Sequence, residues 1–235
     1  MLRYVRWLRL QTLDKVSPRR YVLIGGAIVA VVAGLGALDT FGVISVKALD
    51  LDGEKNVPAF TSGFLLLGAA FAAGAFWLAT GIDGRSRWER GAALVMAALF
   101  LYMSADEVGQ LHEKAERITG IDWQTLFLPV FAVAAVATVL VLRSWRGQPV
   151  AGALLIAGAV AWVMAQIGEH LEYDSHDVEV AGFQYLVLFE ETFEMVGTLL
   201  LTAAFIQAGQ RTLHRVADRR TTLRVTSAGS RLRAQ

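Results

Sequence analysis

Carboxylates and imidazoles concentrate in three segments of this sequence, each of which interrupts or ends a long apolar run. The segments read SADEVGQLHE, GEHLEYD and FEETFEMVG. At 3.6 residues per turn, Glu190, Glu191 and Glu194 share one face of a helix, and Glu194 lies about 16 Å along the axis from Phe183. An acid that deep in an apolar helix is costly in a membrane, so we expect it to face a partner or a wet cavity.

The chemistry that these side chains predict is cation binding. Carboxylates at this density cannot all stay ionised and unpaired in a low dielectric, so protons or metal ions must supply positive charge. The chain has no cysteine, and carboxylate and imidazole ligands without sulfur suit an iron or manganese pair, with zinc as an alternative. The predicted metal ligands are Glu107, His112, Glu169, His170, Glu190, Glu191 and Glu194.

Three further residues are candidates for catalysis. Asp106 and Glu113 could bridge metal ions or orient the ligating histidines, because a ligating histidine needs an acceptor for its second nitrogen. Ser104 is a candidate proton carrier, as are Tyr102 and Tyr173. Plain contacts between packed helices are the alternative role for these hydroxyls.

The three motifs, spread over six apolar segments, resemble an uncharacterised group of bacterial six-helix membrane proteins, and this resemblance implies no activity. Two other classes of protein share only residue types with this chain. Carboxylate-bridged di-metal bundles carry Glu-x-x-His motifs, which this chain lacks. Membrane hydrolases with a zinc site use Ser, Asp and three His, for which Ser104, Asp106, His112 and His170 supply residue types without the paired His-x-x-x-His.

The elements that must position these residues are long apolar helices. Of the 235 residues, 55% are hydrophobic and only 18% are charged, and a span needs about 20 apolar residues. The sequence therefore predicts an all-α, polytopic membrane protein with six transmembrane helices. We place them at 21–43, 59–81, 91–112, 126–142, 150–173 and 183–208.

Charge placement predicts the orientation. If both termini are cytoplasmic, only Lys47, Lys55, Lys114 and Arg117 among the Lys and Arg residues lie outside, which satisfies the positive-inside rule. Most carboxylates then fall on the outer side. This predicts a multi-pass protein of the inner or plasma membrane, with its acidic cluster near the outer face.

Three parts follow along the chain: a basic interfacial segment at 1–20, the six-helix domain at 21–208 and a basic cytoplasmic tail at 209–235. A cleaved signal peptide is the competing interpretation of the start. The first span is longer than a signal peptide's apolar core, however, and no clean cleavage site follows it. In the first outer loop, Asp52 or Glu54 could add a ligand, although a solvated turn is the simpler interpretation.

Three functions remain open at this point. The first is a metal-dependent oxidoreductase or hydrolase, with membrane lipids around it and a lipid-like or other hydrophobic substrate. The second is a divalent-cation or proton-coupled transporter or channel, and the third is a non-catalytic membrane subunit. The inner halves of the helices carry almost no polar residues, which favours a site over a pathway. We expect no nucleic-acid partner, and a homo-oligomer or a membrane complex as the assembly.

Overall fold

In a computed structural model of the protein, residues 16–51, 53, 55–172 and 180–232 are described, with only the backbone described for 220–232. Within these ranges the fold is all-α. Four helices form its first half: α1 (Pro18–Thr40), α2 (Val57–Asp83), α3 (Arg87–Gly109) and α4 (Leu111–Thr119). The second half holds α5 (Trp123–Leu126), α6 (Leu128–Ser144), α7 (Pro149–His170) and α8 (Phe183–Leu232), and a short 3₁₀ turn spans Lys47–Leu49.

The long helices begin at capping residues and prolines that the sequence displays. Ser17 accepts a hydrogen bond from Arg20 N at 3.4 Å at the start of α1, and Asn56 accepts one from Ala59 N at 3.0 Å at the start of α2. These side chains satisfy amide groups that the first helical turn leaves without partners. At the other end of α2, Gly84 takes a left-handed φ of 73°, a conformation that glycine adopts without a steric cost.

Helix α8 occupies the centre of the bundle. It packs against α7, α2 and α1, while α2 also packs against α3, and α3 packs against α6. The interior is built from small residues and aromatic rings. Phe76 of α2 and Phe205 of α8 each pack against the ring of Trp145, with centroids 5.3 and 5.2 Å away. Trp145 follows α6, so this ring cluster joins three elements.

A close crossing joins α7 to α8. A Cβ built on Gly158 would lie 2.8 Å from Gly197 O, and a Cβ built on Gly197 would lie 3.0 Å from Gly158 O. The two backbones therefore approach more closely than any residue with a side chain would allow. Small residues at such crossings are characteristic of helix packing in membranes.

Large apolar side chains cover the outside of the bundle. Leu23, Phe64 and Phe71 are each more than 70% exposed. In the part of the chain that the structure describes, four helices are long and apolar enough to cross a membrane, namely α1, α2, α3 and α7, and α6 is a shorter apolar helix of 17 residues. An exterior of this kind is suited to lipid rather than to water. The fold thus indicates a membrane protein.

Most predicted boundaries differ from the structure by one to four residues, and two differences change the interpretation of the chain. The third span was expected to reach His112, but α3 ends at Gly109 because Gln110 adopts a left-handed backbone with a φ of 54°. Helix α8 continues past residue 208 without a break and reaches Leu232. Residues 1–15, Asp52, Glu54 and Tyr173 lie outside the described residues, so the predictions that concern them remain predictions.

Candidate functional site

Six glutamates meet where α7 ends and α8 begins, beside the last turns of α3. They come from three parts of the bundle and interact with one another through hydrogen bonds or at electrostatic range. We call this group the carboxylate cluster, and its members are Glu107 of α3, Glu169 of α7, Glu172 after α7, and Glu190, Glu191 and Glu194 of α8.

Two carboxyl–carboxyl hydrogen bonds lie within the cluster. Glu194 is hydrogen-bonded to Glu107, which links α8 to α3. Glu190 is hydrogen-bonded to Glu172, which links α8 to the segment after α7. Two carboxyl groups can share a hydrogen bond only when one of them carries a proton.

Gln166 of α7 lies between two of the glutamates. Its Nε2 donates to Glu194 Oε1 at 3.3 Å and to Glu169 Oε2 at 3.4 Å. Its Oε1 is buried and has no hydrogen-bond partner. The amide orientation follows from the two carboxylates, since both need a donor. A buried acceptor oxygen thus lies beside several carboxyl groups, in a place where only a proton donor or a cation would satisfy it.

Helix α5 contributes donors to Glu169. Trp123 Nε1 donates to Glu169 Oε1 at 2.8 Å, and Gln124 Nε2 donates to Glu169 Oε2 at 3.2 Å. Gln124 also donates to the backbone oxygen of Gln166 at 3.3 Å. Asp122 caps this short helix by accepting from Thr125 N at 3.0 Å. The chain between α4 and α6 thereby closes over the end of α7.

Packing on the α3 side fixes Glu107. Ser62 Oγ of α2 donates to Glu107 Oε1 at 3.4 Å, and Ser104 Oγ donates to Gly63 O at 2.8 Å. A Cβ on Gly63 would lie 3.1 Å from Val108 Cγ2 and 3.6 Å from Glu107 Cβ. Gly63 therefore lets α3 approach α2 closely enough for Ser62 to reach the glutamate.

One comparison with known proteins bears on this site. A family model described as "Domain of unknown function (DUF8692)" matches residues 17–208. The chain belongs to the DUF8692 family. No curated protein and no solved structure matches it.

The matched range contains the whole carboxylate cluster of this DUF8692 chain. It begins at Ser17, the residue that caps α1, and ends within α8. The family match is consistent with the predicted resemblance to an uncharacterised group of proteins. It carries no activity to the cluster.

The structure brings together five of the seven predicted metal ligands of the DUF8692 chain, all of them glutamates. The two histidines are placed differently. His170 is the last residue of α7 and is exposed. His112 lies beyond the break in α3, with its Nδ1 3.0 Å from Asp106 Oδ2. The centroid of the His112 ring lies 5.1 Å from that of Trp123. His112 is also close enough to Glu169 to interact with it electrostatically.

The predicted metal centre, including an iron or manganese pair, is not supported by the arrangement of the described residues. Among the described residues, no group of three or more His, Asp or Glu side chains has an arrangement that could hold a metal ion. The cluster's glutamates instead contact one another and amide, indole and hydroxyl donors. A metal ion would therefore have to open the two carboxyl–carboxyl hydrogen bonds before it could bind.

The three candidate catalytic residues make local contacts. Asp106 accepts hydrogen bonds from the backbone nitrogen and the ring of His112. Ser104 donates its hydroxyl to the Gly63 carbonyl. Glu113 of α4 accepts from Gln110 Nε2 at 3.3 Å and forms an ion pair with Arg117 at 3.5 Å. None of these contacts reaches a cluster glutamate.

Sequence reasoning missed the donors around the cluster. The sequence analysis gave no role at the cluster to Trp123, Ser62 or Gln124. It gave none to Gln166 either. The spacing of Gln166 and Glu169, three residues apart on a helix, is the one signal that could have indicated their contact.

Proposed function

We propose that this chain is an integral membrane protein that binds cations at the carboxylate cluster, exchanging the protons of its carboxyl pairs for a divalent metal ion. The observation that carries the proposal is the position of Gln166. Its buried Oε1 has no donor, and it lies among carboxyl groups that are themselves acceptors once ionised. A cation is the species that satisfies all of these oxygens together.

The topology that we propose places the cluster near the outer face. Six helices cross the membrane, namely α1, α2, α3, α6, α7 and the first part of α8, with both termini on the cytoplasmic side. Support comes from the packing of α8 against α7, α2 and α1, and from the basic residues around α3, α6 and the end of α8. The location that follows is the inner or plasma membrane.

The metal ions that suit the cluster are hard or borderline. Carboxylate and amide oxygens favour manganese or iron, and an imidazole ligand would extend the choice to zinc. His112 is the imidazole nearest to the cluster, because its ring packs beside Trp123, which itself binds Glu169. With a metal ion bound, this site would suit a metal-dependent enzyme that acts on a hydrophobic or lipid-like substrate.

A proton-coupled transporter is the second candidate, and one observation favours it. Below Glu194, Thr198 Oγ1 accepts a hydrogen bond from Trp162 Nε1 at 3.0 Å, and Thr202 Oγ1 donates to Thr198 O at 2.8 Å. Tyr21 of α1 is hydrogen-bonded to Thr202. This line of hydroxyls extends from the cluster toward the opposite end of the bundle.

Metal analysis of the purified protein tests the proposal. Detergent-purified protein should carry about one equivalent or more of manganese, iron or zinc, and Glu194→Gln should lose most of it. Glu116→Gln is the matched control, since Glu116 is an exposed residue of α4. Metal below about a tenth of an equivalent in the wild type, even after manganese is added, contradicts the metal site.

Proton flux into liposomes separates the two candidates. An enzyme leaves an imposed proton gradient intact, whereas a transporter dissipates it in a way that Glu194→Gln abolishes. Thr202→Val removes the hydroxyl that joins Thr198 to Tyr21 and should slow flux only in the transporter. Equal leakage in wild type, Glu194→Gln and empty liposomes would eliminate the second candidate.

A further inference from the structure

A polar pocket of about 370 Å³ lies at the opposite end of the bundle from the carboxylate cluster. Its floor is the α6–α7 connection, with Gly147 and Gln148, and its wall is the surface of α8 beyond Phe205, including Arg211 and Arg215. Helix α7 runs from this pocket at Pro149 to the cluster at Glu169 and His170. Its 22 residues extend about 33 Å, the thickness of a bilayer core.

Gln148 is buried in this pocket without a partner. Its side chain is 2% exposed, and neither Nε2 nor Oε1 has a hydrogen bond. It stands at the N-cap position of α7 but makes no side-chain capping bond there. Leaving both atoms of a buried amide unpaired is costly in free energy, and a native protein keeps such a group where a ligand or water completes it.

The pocket also contains a guanidinium group that has a hydrogen-bond donor without an acceptor. Arg215 Nε donates to Arg211 O at 3.4 Å, but its Nη2 is buried and has no hydrogen-bond partner. Arg211 lines the same wall, one helical turn away. The N-terminus of α7 adds the positive end of its helix dipole. Asp218 also lines the pocket and supplies one opposing charge.

We propose that this pocket binds a phosphate ester that carries a hydroxyl group. Arginine and a helix N-terminus together form a site for a phosphate, since the guanidinium donates in a geometry that matches phosphate oxygens. Gln148 Nε2 donates to the same anion. Gln148 Oε1 needs a donor, and a phosphate supplies none at neutral pH, so the ligand's hydroxyl fills that role.

Two sources provide this chemistry: a lipid headgroup such as that of phosphatidylglycerol, or a soluble sugar or glycerol phosphate. Gln210 Nε2 donates to Val16 O at 2.6 Å, so the wall of the pocket contacts the chain two residues before α1 begins. The pocket therefore lies at the level where α1 and α7 both begin. This is the level of the headgroups if these helices span the membrane.

Titration of the full chain with glycerol 3-phosphate tests the soluble source. The protein is held in nanodiscs of phosphatidylcholine, and calorimetry gives the Kd. Arg215→Gln and Gln148→Leu should each weaken binding about tenfold or more, because each removes a hydrogen bond to a charged group. Arg146→Gln, an exposed arginine near the pocket that does not line it, should change the Kd less than about twofold.

Native mass spectrometry tests the lipid source. Protein from nanodiscs that contain phosphatidylglycerol should retain that lipid in the wild type and in Arg146→Gln, and lose it in Arg215→Gln and Gln148→Leu. Binding in either experiment with this dependence on the variants supports the pocket and identifies its source. Binding in neither, or equal binding by all four proteins, overturns the proposal.

Stability of the ligand-free protein provides an independent measurement. Gln148→Leu removes two unpaired buried atoms while keeping the volume, so its melting temperature in phosphatidylcholine should be equal to or above that of the wild type. A purely structural Gln148 would give the opposite result. If Arg215→Gln does not fold, Arg211→Gln takes its place in the experiments. It should lower the affinity for the same ligand.

Discussion

The carboxylate of Asp106 accepts two bonds from His112, from the backbone nitrogen at 2.8 Å and from ring Nδ1 at 3.0 Å. Between these residues the chain leaves α3 at Gly109, passes through the left-handed Gln110 and starts α4 at Leu111. Asp106 therefore stabilises the reversal and holds the imidazole against Trp123. This contact holds the turn at the end of α3, after which the chain approaches Glu169.

Asp106→Ala should destabilise the protein by about 1–2 kcal/mol, because it removes a cap on a backbone N–H together with a half-buried pair to histidine. The measurement is the melting temperature in detergent, followed by tryptophan fluorescence. Glu113→Ala is the control, since Glu113 accepts from Gln110 and pairs with the exposed Arg117 but binds neither Asp106 nor His112 in these contacts. An equal change in the two variants would contradict the role given to Asp106.

The sequence predicted the apolar helices well, since length, composition, prolines and capping residues determine where they begin. The predicted second span begins at Ala59, and α2 begins at Val57, just after its Asn56 cap. The end of α3 was missed for a physical reason. Gln110 adopts a left-handed backbone, which is uncommon for a residue other than glycine, and Asp106 binds His112 across this break.

Part of the cluster follows from the sequence. Helical periodicity predicts Glu190, Glu191 and Glu194 on one face, since neighbouring turns share a side. The predicted third span ran through the break at Gln110 and so placed His112 on α3, whereas it lies on α4. The donation from Trp123 to Glu169 joins residues 46 positions apart, and local pattern carries no information at that separation.

Trp123→Phe should weaken the closure of α5 over α7. The substitution keeps the ring but removes the indole donor from Glu169 Oε1, a loss of about 1–3 kcal/mol for a buried acceptor. Hydrogen exchange of the α5 backbone should accelerate, and the melting temperature should fall. Trp88→Phe is the matched control because Trp88 is 71% exposed. Unchanged exchange in Trp123→Phe would refute the structural role of this bond.

The close crossing of α7 and α8 predicts a strong effect of adding one methyl group. Gly158→Ala and Gly197→Ala should each cost about 1–3 kcal/mol, because the new Cβ meets the backbone oxygen of the facing helix. Gly74→Ala should be neutral or stabilising, since a Cβ there meets nothing within 4 Å and alanine favours helix. Thermal melting of the three variants distinguishes the crossing from a general effect of helix propensity.

The absence of cysteine makes the proposed topology directly testable. Glu116→Cys lies on α4 and Arg219→Cys lies on α8. In intact cells an impermeant maleimide should label only the first, and after lysis it should label both. The reverse pattern would invert the orientation, and labelling of both in intact cells would refute a location of the two sites on opposite sides of the membrane.

Titration of metal-stripped protein with Mn²⁺ measures whether the carboxylate cluster exchanges protons for a metal ion, as we propose. Because the carboxyl pairs Glu107–Glu194 and Glu172–Glu190 must lose protons to bind a metal, the affinity should rise with pH and each binding event should release protons. Glu194→Gln should abolish binding, while Glu116→Gln should leave it unchanged. Mn²⁺ binding that is independent of pH and equal in the three proteins, or no binding at any pH, would contradict the account.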